Sequence, residues 1–246
     1  MVIVDRPLLG SSGWIAWSLS ASDVYRSALK GTGFHTVNSG HCLFSDDSIF
    51  LQLKPVDPDI SLHYLADDIT QIKNQLRTLS IPFSQTSDSL LIRLNERVEC
   101  RIQSVHSMDS HFTFLTQLRT ARVDILYQPQ LHPNKILGLF GEVATWVNNL
   151  HDSLQLFGAL GFKNTELHRG PYPWGIVTDG IHTIGLHQTE EVFTPGIVYY
   201  SPLMPDAVND LSKQGFTVND FEQKMGGLTT WKLEFSPMHM IYLCQM

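Results

Sequence analysis

The chain has 246 residues, with 17 Lys and Arg against 24 Asp and Glu (net charge −7), 43% hydrophobic residues and three cysteines. That length allows one large domain or two small ones with a buried core, which excludes a disordered chain, and no apolar run nears the ~18 residues that would span a bilayer. The acidic balance works against a phosphate backbone as partner.

The elements read as one sentence repeated four times. Gly13–Leu19 is a short aromatic and β-branched strand, Ser22-Asp23 caps a helix to Lys30, and Gly31-Thr32-Gly33-Phe34 stops it. Strands are expected next at Thr36–Asn38, His41–Phe44 and Ile49–Lys54. The second copy runs from a strand at Ile60–Ala66 through a helix from Asp67-Asp68 to about Leu79, then strands near Ser84, Ser89–Leu94 and Glu99–Ser104. Residues 106–135 fit no copy; they read as a connector with a helix near His111–Arg119 and a strand at Arg122–Tyr127. The third copy has a strand at Glu142–Val147, Asn148-Asn149 as cap, a helix over Leu150–Leu160 and the stop Gly161-Phe162. Its strands are Thr165–Arg169, Trp174–Thr178 and His182–His187, the last two joined by the hairpin signal Asp179-Gly180. In the fourth, Ile197–Tyr200 leads through Pro205-Asp206 into a helix to Gln214, then Gly215-Phe216 and strands at Phe216–Asn219, Thr229–Phe235 and His239–Cys244. Such a repeat decides the fold class, α+β, with four βαβββ units.

On these residues the sequence resembles the vicinal oxygen chelate superfamily, which includes glyoxalase I, extradiol dioxygenases and bleomycin resistance proteins. The resemblance is carried by Trp146–Phe157 with Gly161-Phe162, by Asp179–Thr189, and by Gly226–Thr230 with Ser236-Pro237 before the last strand. It covers residues 139–246 well and 10–105 more weakly. It implies that the four units pair into two domains with U-shaped mixed sheets, residues 1–105 and 136–246, joined by the connector 106–135. A small ligand or a divalent metal would then sit on each concave face.

The family binds its metal through His, Gln or Glu on the first and fourth strands of each unit. Carried over, those positions fall on Glu142, Gly185, Gly196 and Tyr242, and in the first half near Gly13 or Trp14, Leu51 or Gln52, Ser61 and Arg101. Of the C-terminal set Glu142 alone is a ligand type, and His187 joins it if strand alternation turns it inward. Two ligands are fewer than the usual three, so no metal or other cofactor is expected; if a divalent ion binds, Glu142 and His187 hold it. Glycine at two of the positions should leave room where the metal would have been. By the same alternation the C-terminal cleft is lined by Glu142, Ala144, Trp146, His187, Val198, Tyr200, Met238, Met240, Tyr242 and Cys244, with Trp174 at its rim.

The expectation is thus a small-molecule-binding protein that has lost the family's metal set. The alternatives are a metal-dependent lyase or extradiol-type dioxygenase using Glu142 and His187, and an interaction module with filled clefts. Cys42, Cys100 and Cys244 offer neither a disulfide framework nor a metal knuckle, and Met1–Leu19 lacks the pattern of a signal peptide, so the expected address is the cytoplasm. Partners are expected to be a small molecule, not nucleic acid or membrane; a homodimer is left open.

Overall fold

The computed structural model describes residues 8–20, 22–55, 59–107, 125–191 and 193–246. The first half begins with β1 (Ser12–Trp17), α1 (Asp23–Gly31), β2 (His35–Asn38), β3 (Leu43–Ser45) and β4 (Phe50–Leu53). It continues with β5 (Ile60–Ala66), α2 (Ile69–Thr78), β6 (Ser84–Gln85), β7 (Ser89–Arg93) and β8 (Val98–Ser104). The second half repeats that order as β9 (Leu139–Trp146), α3 (Leu150–Ala159), β10 (Lys163–His168), β11 (Trp174–Thr178) and β12 (Thr183–His187). Its last unit is β13 (Gly196–Ser201), α4 (Met204–Lys213), β14 (Val218–Asp220), β15 (Thr230–Ser236) and β16 (His239–Gln245).

Each half forms one eight-stranded mixed sheet, ordered β2-β3-β4-β1-β5-β8-β7-β6 and β10-β11-β12-β9-β13-β16-β15-β14. The central pairs β1–β5 and β9–β13 are antiparallel, and each of these four strands is parallel to its outer neighbour. The α+β architecture of four paired βαβββ units is therefore as the repeat predicts.

The helices α1 to α4 stop in the same way. The amide of the residue after a left-handed position reaches back five residues, from Phe34 to Leu29, Ile81 to Leu76, Phe162 to Phe157 and Phe216 to Leu211. Gly33, Gly161 and Gly215 hold the left-handed conformation in three copies, and Ser80 (φ 56°) holds it in the second. These turns return an aromatic or Ile side chain to the core, which explains the recurring Gly-Phe.

The helix-covered faces of both sheets share one hydrophobic core. It includes Ile15, Trp17, Leu62 and Ile102 from the first half with Val143, Ile184, Tyr199 and Leu243 from the second. The seam between the halves is crossed by a pseudo-symmetric pair of polar contacts. Asp46, in the β3–β4 turn, caps the amides of Ser48 and Ile49 and accepts from the hydroxyl of Tyr199 on β13. Asp179, in the β11–β12 turn, caps Ile181 and His182 and accepts from Tyr64 on β5 at 2.7 Å.

One expectation changes. Ile125–Tyr127 forms a turn, not the end of a strand, and its carbonyls at Ile125 and Leu126 are bonded by the buried His132 ring, which leaves them unavailable to a ladder. The helix near His111–Arg119 and the start of that strand lie outside the described residues.

Candidate functional site

The strand registers lay out the helix-free face of the C-terminal sheet as a grid. One row runs Trp174, His187, Trp146, the next Ile176, Gly185, Ala144, Gly196, Met240, and a third carries Glu142 beside Val198 and Tyr242. Tyr200 stands opposite Cys244 at the far end. Neighbours in a row point to one side of the sheet, so the alternation argument gathers Glu142, Ala144, Trp146, His187, Tyr200, Met240 and Tyr242 correctly. Met238 is the exception: it lies in the β15–β16 turn, 44% exposed, with its sulfur against Arg97. A hairpin residue has left the pleat, so period-2 counting fails there.

Glu142 and His187 are wholly buried and paired, Nε2 to Oε1, at 3.0 Å. A carboxylate only accepts, which puts an imidazole proton on Nε2, and Nδ1 is hydrogen-bonded to the Tyr172 hydroxyl at 3.1 Å. The Tyr172 oxygen accepts in turn from the Gly226 amide at 2.9 Å. A hydrogen-bonded chain thus leads from the Gly226-Gly227 turn to Glu142, whose Oε2 has no partner among the described residues. Burial raises the Tyr172 hydroxyl above its usual pKa, so it stays a donor. The two glycines, at φ 59° and 88°, let this turn press against Trp174 and Pro171, where an added Cβ would stand 3.1 and 3.2 Å from side-chain carbons.

The expected gap at the glycine positions is closed. A Cβ on Gly185 would fall 2.2 Å from Glu142 Oε1, and one on Gly196 would fall 2.7 Å from the Tyr242 ring. The carboxylate and the phenol ring have taken that room. Tyr242 turns its hydroxyl away to the Thr194 carbonyl at 2.6 Å. Two donor groups do not make the three-ligand set of a catalytic divalent ion, and among the described residues no three His, Cys, Asp or Glu side chains stand together. The residues present therefore do not fit the family's metal.

One arm of the trough is packed. Phe193, Phe221, Met225, Met240 and Tyr242 form a cluster with Ala144 and Val198, and Phe193 meets His187 edge-on at 5.5 Å. The other arm holds a cavity of about 510 Å³. Its apolar wall includes Leu126, Leu139, Ile176 and Leu228, with Trp174 and Tyr200 at its sides and Glu166, His168, Thr178 and Thr183 as polar groups. Trp174 begins β11 and stacks between His168 (4.0 Å) and His187 (5.9 Å). The Tyr200 ring lies over Gly141, and its hydroxyl has no hydrogen-bond partner among the described residues. Burial, then the nearby Glu142 charge, raises its pKa well above the ordinary phenol value, so it faces the cavity as a neutral O–H. Cys244 is buried against Thr230, and burial pushes its thiol up to about 12, which removes it as a nucleophile.

Of the eight residues expected to bind a ligand, Trp174 and Tyr200 line this cavity; Glu142, Ala144, Trp146, His187, Met240 and Tyr242 are not among its lining residues. Sequence reasoning missed Ile176, Thr178 and Thr183, which the same alternation along β11 and β12 would have found. It also missed Tyr172, for which no periodic signal exists in a Pro-flanked loop.

No protein-family model and no curated protein sequence matches the chain. In structure it is similar to a catechol 2,3-dioxygenase, with TM-score 0.58 and 13% identity over 98% of this chain and 89% of that one. It is also similar to the Mn(II)-bound glyoxalase from Novosphingobium aromaticivorans, with TM-score 0.59 and 11% identity over 95% and 81%. A variant of homoprotocatechuate 2,3-dioxygenase from B. fuscum gives TM-score 0.58 and 9% identity over 100% and 73%. Taken with the two sheet orders and the four βαβββ units, these likenesses identify the architecture: the chain has the vicinal oxygen chelate fold, in its tandem form.

Proposed function

We propose that the chain binds a small, partly aromatic molecule in the C-terminal cleft and performs no metal chemistry there. The observation that supports this most is the cavity of about 510 Å³, which falls within the 300–1,000 Å³ common for ligand sites and combines an apolar wall with a few polar groups. Tyr200 supplies a neutral donor, the Glu166–His168 pair (3.2 Å) stands at the outer edge, and Trp174 is held rigid between two imidazoles. A pre-formed wall costs little ordering on binding. The Tyr172–His187–Glu142 chain serves in this reading as a brace that fixes the Gly226-Gly227 turn over Trp174.

A thermal-shift and calorimetric screen of the full chain with small phenols, aromatic acids and aromatic amines tests the reading. A binder is expected to raise the unfolding midpoint by mass action, and Ile176→Trp, which fills the cavity, should abolish that shift while leaving the fold intact by circular dichroism. Absence of any binder, or a shift that survives Ile176→Trp, overturns it. The enzymatic alternative is checked by metal analysis of protein purified without chelator: stoichiometric Mn, Fe, Ni or Zn that disappears in Glu142→Ala would replace the binding reading with a metal-dependent one.

A further inference from the structure

The N-terminal sheet carries a different chemistry on its helix-free face. Its registers place Gln52, Ala16, Ser61 and Glu99 in one row and Trp14, His63 and Arg101 in the next. Lys54 continues the alternation beyond Gln52 at the end of β4, and its ammonium is close enough to Arg101, Glu99 and His63 for their charges to act on one another. Glu99, 2% exposed, accepts from Ser61 at 3.2 Å and from Arg101 Nη2 at 3.1 Å. One carboxylate is thus shared between two cations, with the exposed Asp88 adding a charge that solvent screens.

The cluster leaves hydrogen-bonding capacity unused. Among the described residues Arg101 Nε is buried without a partner, and the Lys54 ammonium makes neither an ion pair nor a hydrogen bond. His63, stacked on Trp14 at 4.6 Å, bonds Gln103 through Nδ1 while its Nε2 is buried and unmatched. Unmatched buried polar groups are costly and uncommon, and an excess cation half out of water is costly too. Burial, then repulsion from Arg101, lowers the Lys54 pKa, against the opposing pull of Glu99 and Asp88. Lys54 and Arg101 keep solvent access, the Arg101 side chain at 23% exposure, so a ligand can reach them.

We infer that the helix-free face of the N-terminal sheet carries a second binding site, for a small oxyanion such as a phosphate or carboxylate group, held by Lys54 and Arg101. An arginine already fixed by Glu99 presents its remaining N–H groups in a set plane, and a flexible ammonium beside it supplies a point charge. This site is separate from the apolar C-terminal cavity in position and in charge.

Calorimetric titration of the full chain with inorganic phosphate and with succinate, at ionic strength fixed with sodium chloride, tests the inference and separates the two oxyanion sources. Binding of at least one with a Kd of about 1 mM or tighter is expected, weakened roughly tenfold or more by Lys54→Gln. Because the Lys54 ammonium makes no hydrogen bond among the described residues and Glu99 keeps its bonds to Ser61 and Arg101, Lys54→Gln should unfold no earlier than the parent without anion. Lys213→Gln, an exposed cation elsewhere, should bind as the parent does, and Ile176→Trp should leave anion binding intact even if the C-terminal reading fails. No anion-specific heat, or equal loss in Lys54→Gln and Lys213→Gln, overturns the inference.

Discussion

Asp46 shows how a single turn residue links the two halves. Its Oδ1 serves the amides of Ser48 and Ile49, and its Oδ2 takes the Tyr199 hydroxyl and a weaker bond from Asn134 at 3.4 Å. Burial nevertheless holds its carboxyl above the ordinary 3.8, outweighing those bonds. The folded state therefore binds this proton more tightly than the unfolded chain does. The stability so gained is full below pH 3.8 and is lost as pH rises through the folded value. Asp46→Asn keeps the Oδ1 acceptor and removes the titration, so the stability of the parent relative to this variant should fall as pH rises above 3.8 in denaturant unfolding; a flat difference would contradict the assignment. Asp46→Ala strands the Tyr199 hydroxyl and two amides and should cost about 2–3 kcal/mol. The turn at Asp179-Gly180 was legible in the sequence because its residue types have a local cause. Its partner Tyr64 was not, since pattern reveals which face a strand residue takes but not which distant element meets that face. The same limit explains Gly185: the sequence shows a missing side chain, and the carboxylate of Glu142 that fills the space comes from another strand.

At the scale of elements, the four helix stops differ in one residue. Ser80 occupies at φ 56° a position that glycine holds in the other three copies. A side chain in the left-handed region costs roughly 1 kcal/mol that glycine avoids. Ser80→Gly is therefore expected to stabilise the chain by about 0.5–1 kcal/mol, read as a higher urea midpoint at unchanged slope. Helix and strand order was legible here because each copy carries its own cap, period and stop. Where a turn carries no such local signal, legibility ended: Ile125–Tyr127, Tyr172 and Met238 all owe their places to turns of this kind. The Tyr172 loop matters most, because it braces the rim of the candidate cavity and no spacing announces it.

At the scale of the whole molecule, the shared core argues that the halves unfold together. Trp17 of β1 contacts Phe235 (5.4 Å) and His239 (5.7 Å) of the second half, and Asn95 donates across the seam to Thr145 at 2.7 Å. A single calorimetric transition is expected, with van't Hoff and calorimetric enthalpies equal. Tyr64→Phe and Tyr199→Phe each leave a buried carboxylate oxygen short of one donor and should cost about 1–3 kcal/mol. Two resolved transitions would show that the seam contributes little. The two inner faces, by contrast, have diverged: one sheet presents an apolar cavity beside a packed aromatic cluster, the other a mixed-charge row.

The exchange of tyrosines across the seam also has a kinetic side. Tyr64 lies 115 residues from Asp179, and Tyr199 lies 153 residues from Asp46. Neither contact can form before nearly half the chain has been brought into place. Folding should accordingly be slow, in the milliseconds-to-seconds range of chains dominated by distant contacts. If these bonds form after the rate-limiting step, removing either hydroxyl will leave the refolding rate nearly unchanged and speed unfolding instead. Stopped-flow measurement on Tyr199→Phe would show whether the seam closes last.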